Sequence, residues 1–328
     1  MIFGLSKTGG GGLAVPVTAI LLAVGLAAGC SRPAPTGAFG RGGRPRVLCT
    51  TTVVADLVRQ IAGDRVEVEC LMPPGVDPHS YRATPRDADR LAAADLIVAS
   101  GLRLEGKLAD LLARFGERVP VVAVADSLPR DALLEVAADT FDPHVWFDAA
   151  LWAKCAPTVA AALGRLDPEA AADHARRAEA YADRLVELDA AVRARVAAIP
   201  AARRVLVTAH DAFRYYGRAY GLEVMGVQGT STESEAGLGD VNRLVDLLVD
   251  REIPAVFVET SVADRNVAAL VEGAAARGHA VALGGRLYSD SLGGPDSGAE
   301  TLEAALTANV EAIVTALAAP VAAPGSAP

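Results

Sequence analysis

From residue 46 onward, short apolar runs alternate with longer stretches in which apolar residues return every third or fourth position. Residues 46–50, 66–71, 96–99 and 121–125 read as four short strands. A helical stretch follows the first of them, Val53 to Ala62, closed by Gly63. Another helix opens at Thr84-Pro85-Arg86-Asp87, with threonine as cap, proline at the first helical position and an acid at the third. Strands alternating with helices in this way predict a mostly parallel sheet covered on both faces.

Asp167-Pro168-Glu169 then starts a helix that meets no Gly or Pro until Pro200. Its apolar stripe is Ala178, Tyr181, Leu185, Leu188 and Val192, with Arg177, Arg184 and Glu187 on the other side. Roughly 30 residues of helix span on the order of 45 Å, enough for a strut between two lobes. Beyond it the first pattern returns, with strands at 204–208, 223–227, 255–259 and 280–283 and helices near 213–220, 240–249 and 266–277. A last helix covers about 299–317. The expected fold is therefore α/β, with two lobes of four mostly parallel strands flanked by helices and joined by one long rigid helix.

The amino terminus changes where this fold is expected to work. Lys7 precedes an apolar run from Leu13 to Ala28, short and alanine-rich for a membrane span. The run ends in Leu26-Ala27-Ala28-Gly29-Cys30, which resembles the bacterial lipoprotein box, where cleavage leaves the cysteine to carry lipid. The expected organisation is a signal peptide at 1–29, lipidation at Cys30, a Pro-, Gly- and Arg-rich tether at 30–45, a first lobe at 46–166, a linking helix at 167–200, a second lobe at 201–318 and a loose tail at 319–328. The mature protein is then extracytoplasmic, at the periplasm or cell surface, and anchored to the membrane. Without Cys30, the three remaining cysteines make no disulfide framework. Cys49, Cys70 and Cys155 read as buried thiols, with a Cys49–Cys70 bridge as the open alternative.

A hydrophobic share of 52% and a charged share of 22% rule out a disordered chain. The formal net charge of −9 argues against a nucleic-acid partner, which requires clustered Lys and Arg.

The chemistry is carried by histidine. Of five histidines, two sit in the same tripeptide, Asp77-Pro78-His79 and Asp142-Pro143-His144. Neutral imidazole is the commonest metal ligand, and ligands in open α/β sheets gather beyond the carboxyl ends of the strands. His79 follows the second strand, His144 follows the fourth, and His210 lies just past the first strand of the second lobe. Asp290, in the loop Tyr288-Ser289-Asp290-Ser291, occupies a corresponding position, with Glu259 as a competing carboxylate. Three imidazoles and a carboxylate suit zinc in four-coordination, or manganese and iron if the carboxylate binds through both oxygens. Asp77 and Asp142 either orient the neighbouring histidines or serve only as turn residues. His174 and His279 read as ordinary structural histidines.

These stretches resemble the metal-binding lipoprotein family that serves zinc-, manganese- and iron-importing ABC transporters, the cluster A-I solute-binding proteins. The resemblance rests on residues 73–81, the Gly101 to Glu105 turn, Asp142-Pro143-His144-Val145-Trp146, His210-Asp211-Ala212-Phe213, Glu259 and residues 287–293, in the family's order. It implies ligand roles for His79, His144 and Asp290, with His210 at a third position that varies between histidine and glutamate. It also implies two lobes joined by a rigid helix, and partnership with an ABC permease and its ATPase. Many zinc-specific members carry a histidine-rich loop between the first two ligands, and none lies between His79 and His144. The final Tyr-Ser-Asp resembles members that take manganese as well as zinc, and a third imidazole favours zinc; both metals are expected to bind.

Two other readings compete. A metallohydrolase needs an open coordination position beside a general base; no His-Glu-x-x-His helix is present, and four converging ligands close a tetrahedral shell. A metal-stabilised adhesin would hold its ion with clustered ligands, whereas these are spread over more than 200 residues. No catalytic residue is therefore assigned, and the chain reads as a carrier rather than an enzyme.

Overall fold

The apolar runs become short strands because each is flanked by glycine, proline or polar turn residues. The computed structural model describes residues 43–318. The signal peptide, Cys30, nearly all of the tether and the tail expected at 319–328 lie outside the described residues. The first half runs β1 (Arg46–Cys49), α1 (Thr52–Ala62), β2 (Glu67–Cys70), α2 (Pro85–Ala92), β3 (Leu96–Ala99), α3 (Ala109–Gly116) and β4 (Val121–Ala123). These four strands form one parallel sheet in the order β2-β1-β3-β4. The chain thus leaves β1 to one side and returns on the other, opening a crevice at the carboxyl ends of β1 and β3. The α2 cap is built as read: Thr84 accepts from the Asp87 N–H, and the Asp87 side chain accepts from the Thr84 N–H at 2.8 Å.

A hairpin that the hydrophobic pattern does not reveal follows, β5 (Glu135–Ala137) against β6 (Thr140–Phe141), antiparallel. Then come α4 (Ala149–Ala153), α5 (Ala156–Leu166) and the long α6 (Ala171–Val196), preceded by a 3-10 turn over Pro168–Ala170. At 26 residues, α6 spans roughly 39 Å. It buries Ala178, Tyr181, Leu185 and Val192 of the expected stripe, together with His174 and Val196. Arg184 on its exposed side donates to Gln60 Oε1 at 2.8 Å in α1 and to Glu303 Oε1 at 3.0 Å near the carboxyl terminus.

The second half contains β7 (Val205–His210), α7 (Arg214–Tyr220), β8 (Glu223–Gln228), α8 (Leu238–Asp250), β9 (Ala255–Glu259), α9 (Arg265–Ala276), β10 (Ala282–Leu287) and α10 (Leu302–Ala318). Its strands are parallel but bond two by two, β7 with β8 and β9 with β10, while β7 packs beside β9. Gly226 in β8 lets that strand pass close to the end of β7: a Cβ there would fall 2.4 Å from the His210 carbonyl carbon.

One hydrophobic core joins the halves. Trp146, Trp152, Tyr181, Phe213, Tyr215 and Tyr216 are fully buried, and Phe147 stacks on Phe213 with ring centroids 4.2 Å apart. Further cores lie between β7, β9, α8 and α9, and beneath α2 and α3. Asp56 in α1 accepts from the Leu302 N–H at 3.0 Å, so α1 caps α10 directly. Cys49 and Cys70 stand opposite each other across β1 and β2, but both are free thiols, and Cys70 Sγ donates to the Met72 carbonyl at 3.0 Å. β2 is the half-exposed edge of its sheet, so Cys70 is less buried than its apolar run suggests.

Candidate metal centre

The two Asp-Pro-His tripeptides fold alike because the aspartate turns back over the proline. Asp77 Oδ1 accepts from the His79 N–H at 2.8 Å, and Asp142 Oδ1 from the His144 N–H at 3.0 Å. They then diverge. Asp142 Oδ1 also sits 2.7 Å from His144 Nδ1, fixing the ring with Nε2 outward. Asp77 instead spends its Oδ2 on the hydroxyls of Ser80 at 2.7 Å and Thr232 at 2.6 Å. Both are turn residues, and only Asp142 touches its imidazole.

His210 is the last residue of the wholly buried β7. Glu259, at the end of the neighbouring β9, accepts from the His210 N–H at 2.8 Å through Oε1. Its Oε2 lies 2.7 Å from His210 Nδ1, although the two are not aligned for a full hydrogen bond. Glu259 therefore stands behind His210 rather than competing with Asp290. The Asp290 loop belongs to the second half but is tied to the first. Trp146 Nε1 donates to the Ser289 carbonyl at 3.1 Å, the Gly75 N–H to Ser291 Oγ at 2.8 Å, and the Leu292 N–H to Thr52 Oγ1 at 2.8 Å. Trp146 and Ser291 fall within the motif stretches quoted above, whereas Thr52 carries no sequence signal beyond its polar character.

His79, His144, His210 and Asp290 meet, each offering one ligand atom, with those atoms all within 4.8 Å of one another and all four residues buried. His79 Nε2 is 3.2 Å from His144 Nε2 and 4.0 Å from Asp290 Oδ2. Asp290 Oδ1 is 3.4 Å from His144 Nε2, and Oδ2 is 3.3 Å from His210 Nε2. An ion with bonds of about 2.0–2.1 Å separates tetrahedral neighbours by about 3.4 Å, so these edges suit zinc. The two carboxylate oxygens face different imidazoles, which also leaves room for two-oxygen binding and a five-coordinate ion such as manganese. His174 and His279 lie elsewhere, facing the Ile61 and Ile253 carbonyls.

Electrostatics separate the three rings. Burial and the neighbouring imidazoles push His79 down to about 4. Burial would do the same to His144, but Asp142 and Asp290 outweigh it and raise the ring to about 9. His210 is likewise raised against its burial, by Glu259 and Asp290. Burial opposes ionisation of Asp290, yet His210 and His144 hold it well below the usual carboxylate range. Asp290 is thus held in the anionic form that a metal ligand requires.

The Gly101 to Glu105 turn closes the crevice between β1 and β3. Glu105 Oε1 accepts from Thr50 Oγ1 at 2.5 Å and from the Ser100 N–H at 2.8 Å, the residues that follow those two strands. Leu102 and Arg103 take positive φ, 49° and 64°, in a turn pinned by Asp126 Oδ1 on the Leu102 N–H at 2.8 Å. A Cβ at Gly101 would fall 2.7 Å from that same oxygen.

The family model described as the periplasmic component A of the zinc-uptake complex, ZnuA, matches residues 47–316. The manganese-binding lipoprotein MntA of Bacillus subtilis is 44% identical over 266 residues, covering 81% of this chain and 87% of that protein. The zinc-binding protein TroA of Treponema pallidum is 41% identical over 295 residues, covering 90% of this chain and 96% of that protein. The solved structure of the periplasmic zinc-binding TroA superposes with a TM-score of 0.82, at 43% identity, covering 84% of this chain and all of that one. A match along nearly the whole described chain, and a shared fold at this identity, mean that the chain belongs to the ZnuA family of zinc-uptake components.

Proposed function

We propose that this chain is the solute-binding subunit of a metal-importing ABC transporter, and that His79, His144, His210 and Asp290 grip a divalent transition metal as cargo. The observation that carries the reading is the convergence of four buried donors from segments spread over more than 200 residues, spaced as one small cation requires. Neutral imidazoles and one carboxylate favour zinc over manganese in the Irving–Williams order, and both ions bind. The names of the relatives point the same way, one manganese-binding and one zinc-binding.

The role is capture and delivery, not catalysis. The acids Asp142 and Glu259 are committed to His144 and His210, where they orient ligands instead of activating water. Residues 46–166 and 201–318 act as two lobes about the linking segment 167–200, and the loaded protein docks on a permease with its ATPase. Cys30 carries the lipid that holds the chain at the outer face of the membrane. Calorimetry tests the binding reading: zinc binds the wild type tightly, and His79→Ala or His210→Ala abolishes tight binding with the fold retained. Unchanged zinc affinity in both variants overturns it. Elemental analysis of protein taken from its native host identifies the cargo.

A further inference from the structure

Three of the four converging residues are sealed. His144 and His210 are 0% exposed and Asp290 is 1%, whereas His79 retains 4%, so the path between solvent and the centre runs past His79. On that side lies a vestibule of about 400 Å³, lined by His79, Arg103, Lys107, Phe141, Thr230 and Glu233. Its second-half wall is the loop from Gly229 to Gly237, between β8 and α8. Gln228 Nε2 holds this loop to its own half through the Ser234 carbonyl at 3.2 Å.

The loop also reaches across to the first half at two adjacent residues. Thr232 Oγ1 donates to Asp77 Oδ2 at 2.6 Å, and Glu233 pairs with Lys107 Nζ at 3.0 Å. The first contact meets the same carboxylate whose other oxygen holds the His79 N–H. We infer that the 229–237 loop is a latch over the vestibule, with Thr232 as a positioning residue that acts through Asp77 on His79. Metal enters and leaves when the Thr232–Asp77 bond breaks. The latch governs exchange rate rather than the choice of ion, because Thr232 touches no donor atom of the centre. A hydroxyl on a carboxylate is the stronger of the two contacts. The half-exposed ion pair adds a smaller term that salt screens.

This inference rests on the binding reading above, and stopped-flow release of zinc into excess chelator separates the two. Thr232→Val, which keeps the side-chain shape, is expected to release zinc about tenfold faster. Entry also quickens, so affinity changes less than the release rate. Thr232→Ser retains the wild-type rate. Lys107→Glu speeds release at low ionic strength, and the exchange Lys107→Glu with Glu233→Lys restores it. Equal release from the wild type and Thr232→Val overturns the latch while leaving the centre intact. So does faster release that Thr232→Ser shares. A wild type that takes up no zinc overturns the binding reading itself.

Discussion

Glu259 meets His210 at both ends of that residue: one carboxylate oxygen accepts its backbone N–H at 2.8 Å and the other lies 2.7 Å from its ring Nδ1. The backbone bond fixes where the residue sits before any ion arrives, and the negative charge beside Nδ1 makes the ring a better donor. Glu259→Gln should keep the backbone bond and lose the charge, weakening zinc binding by about 10–100-fold. Competition against a chromophoric chelator measures the change, and a thermal melt confirms that the fold is retained.

The two Asp-Pro-His motifs should respond differently to the same substitution. Asp142 contacts the His144 ring, whereas Asp77 holds only the His79 backbone and the Thr232 and Ser80 hydroxyls. Asp142→Asn is expected to cost about 10–100-fold in zinc affinity, and Asp77→Asn much less. Equal losses measured by the same titration would contradict this division of roles.

Much of this was legible in the chain, because the signals were local. Strand residues such as Val47 and Val98 are flanked by turn chemistry, Thr84 and Asp87 form a capping box, and the repeated tripeptide marks His79 and His144. The β5–β6 hairpin escaped notice because Glu135–Ala137 is three exposed residues with no alternation to read. The two-by-two pairing of the second half depends on how closely β7 and β9 approach, which no single strand records. Thr232 and Lys107 lie 125 residues apart in ordinary polar segments, and only the fold gives either one a partner across the vestibule.

Glu105 should make stability depend on pH. Burial raises its folded pKa, opposed by its bonds to Thr50 and Ser100. A carboxyl whose folded pKa exceeds its unfolded value of about 4.3 stabilises fully below that value and loses its contribution as pH rises through the folded pKa. The stability of the wild type relative to Glu105→Gln is therefore greatest in mild acid and declines toward neutrality. Urea titrations of both proteins across that range provide the check.

The long helix offers a test of the strut. Leu185 is fully buried while the adjacent Val186 is 55% exposed. Leu185→Ala should cost about 2–5 kcal/mol, and Val186→Ala should stay within about 0.5 kcal/mol, both read from denaturant midpoints.

The central claim, that His79, His144, His210 and Asp290 hold one metal ion, is tested most directly by X-ray absorption at the zinc edge of protein loaded with one equivalent of zinc. The account predicts a shell of three imidazole nitrogens and one or two carboxylate oxygens at about 2.0–2.2 Å, with one imidazole lost in His210→Ala. A shell containing sulfur, or six oxygens with no imidazole scattering, would contradict it.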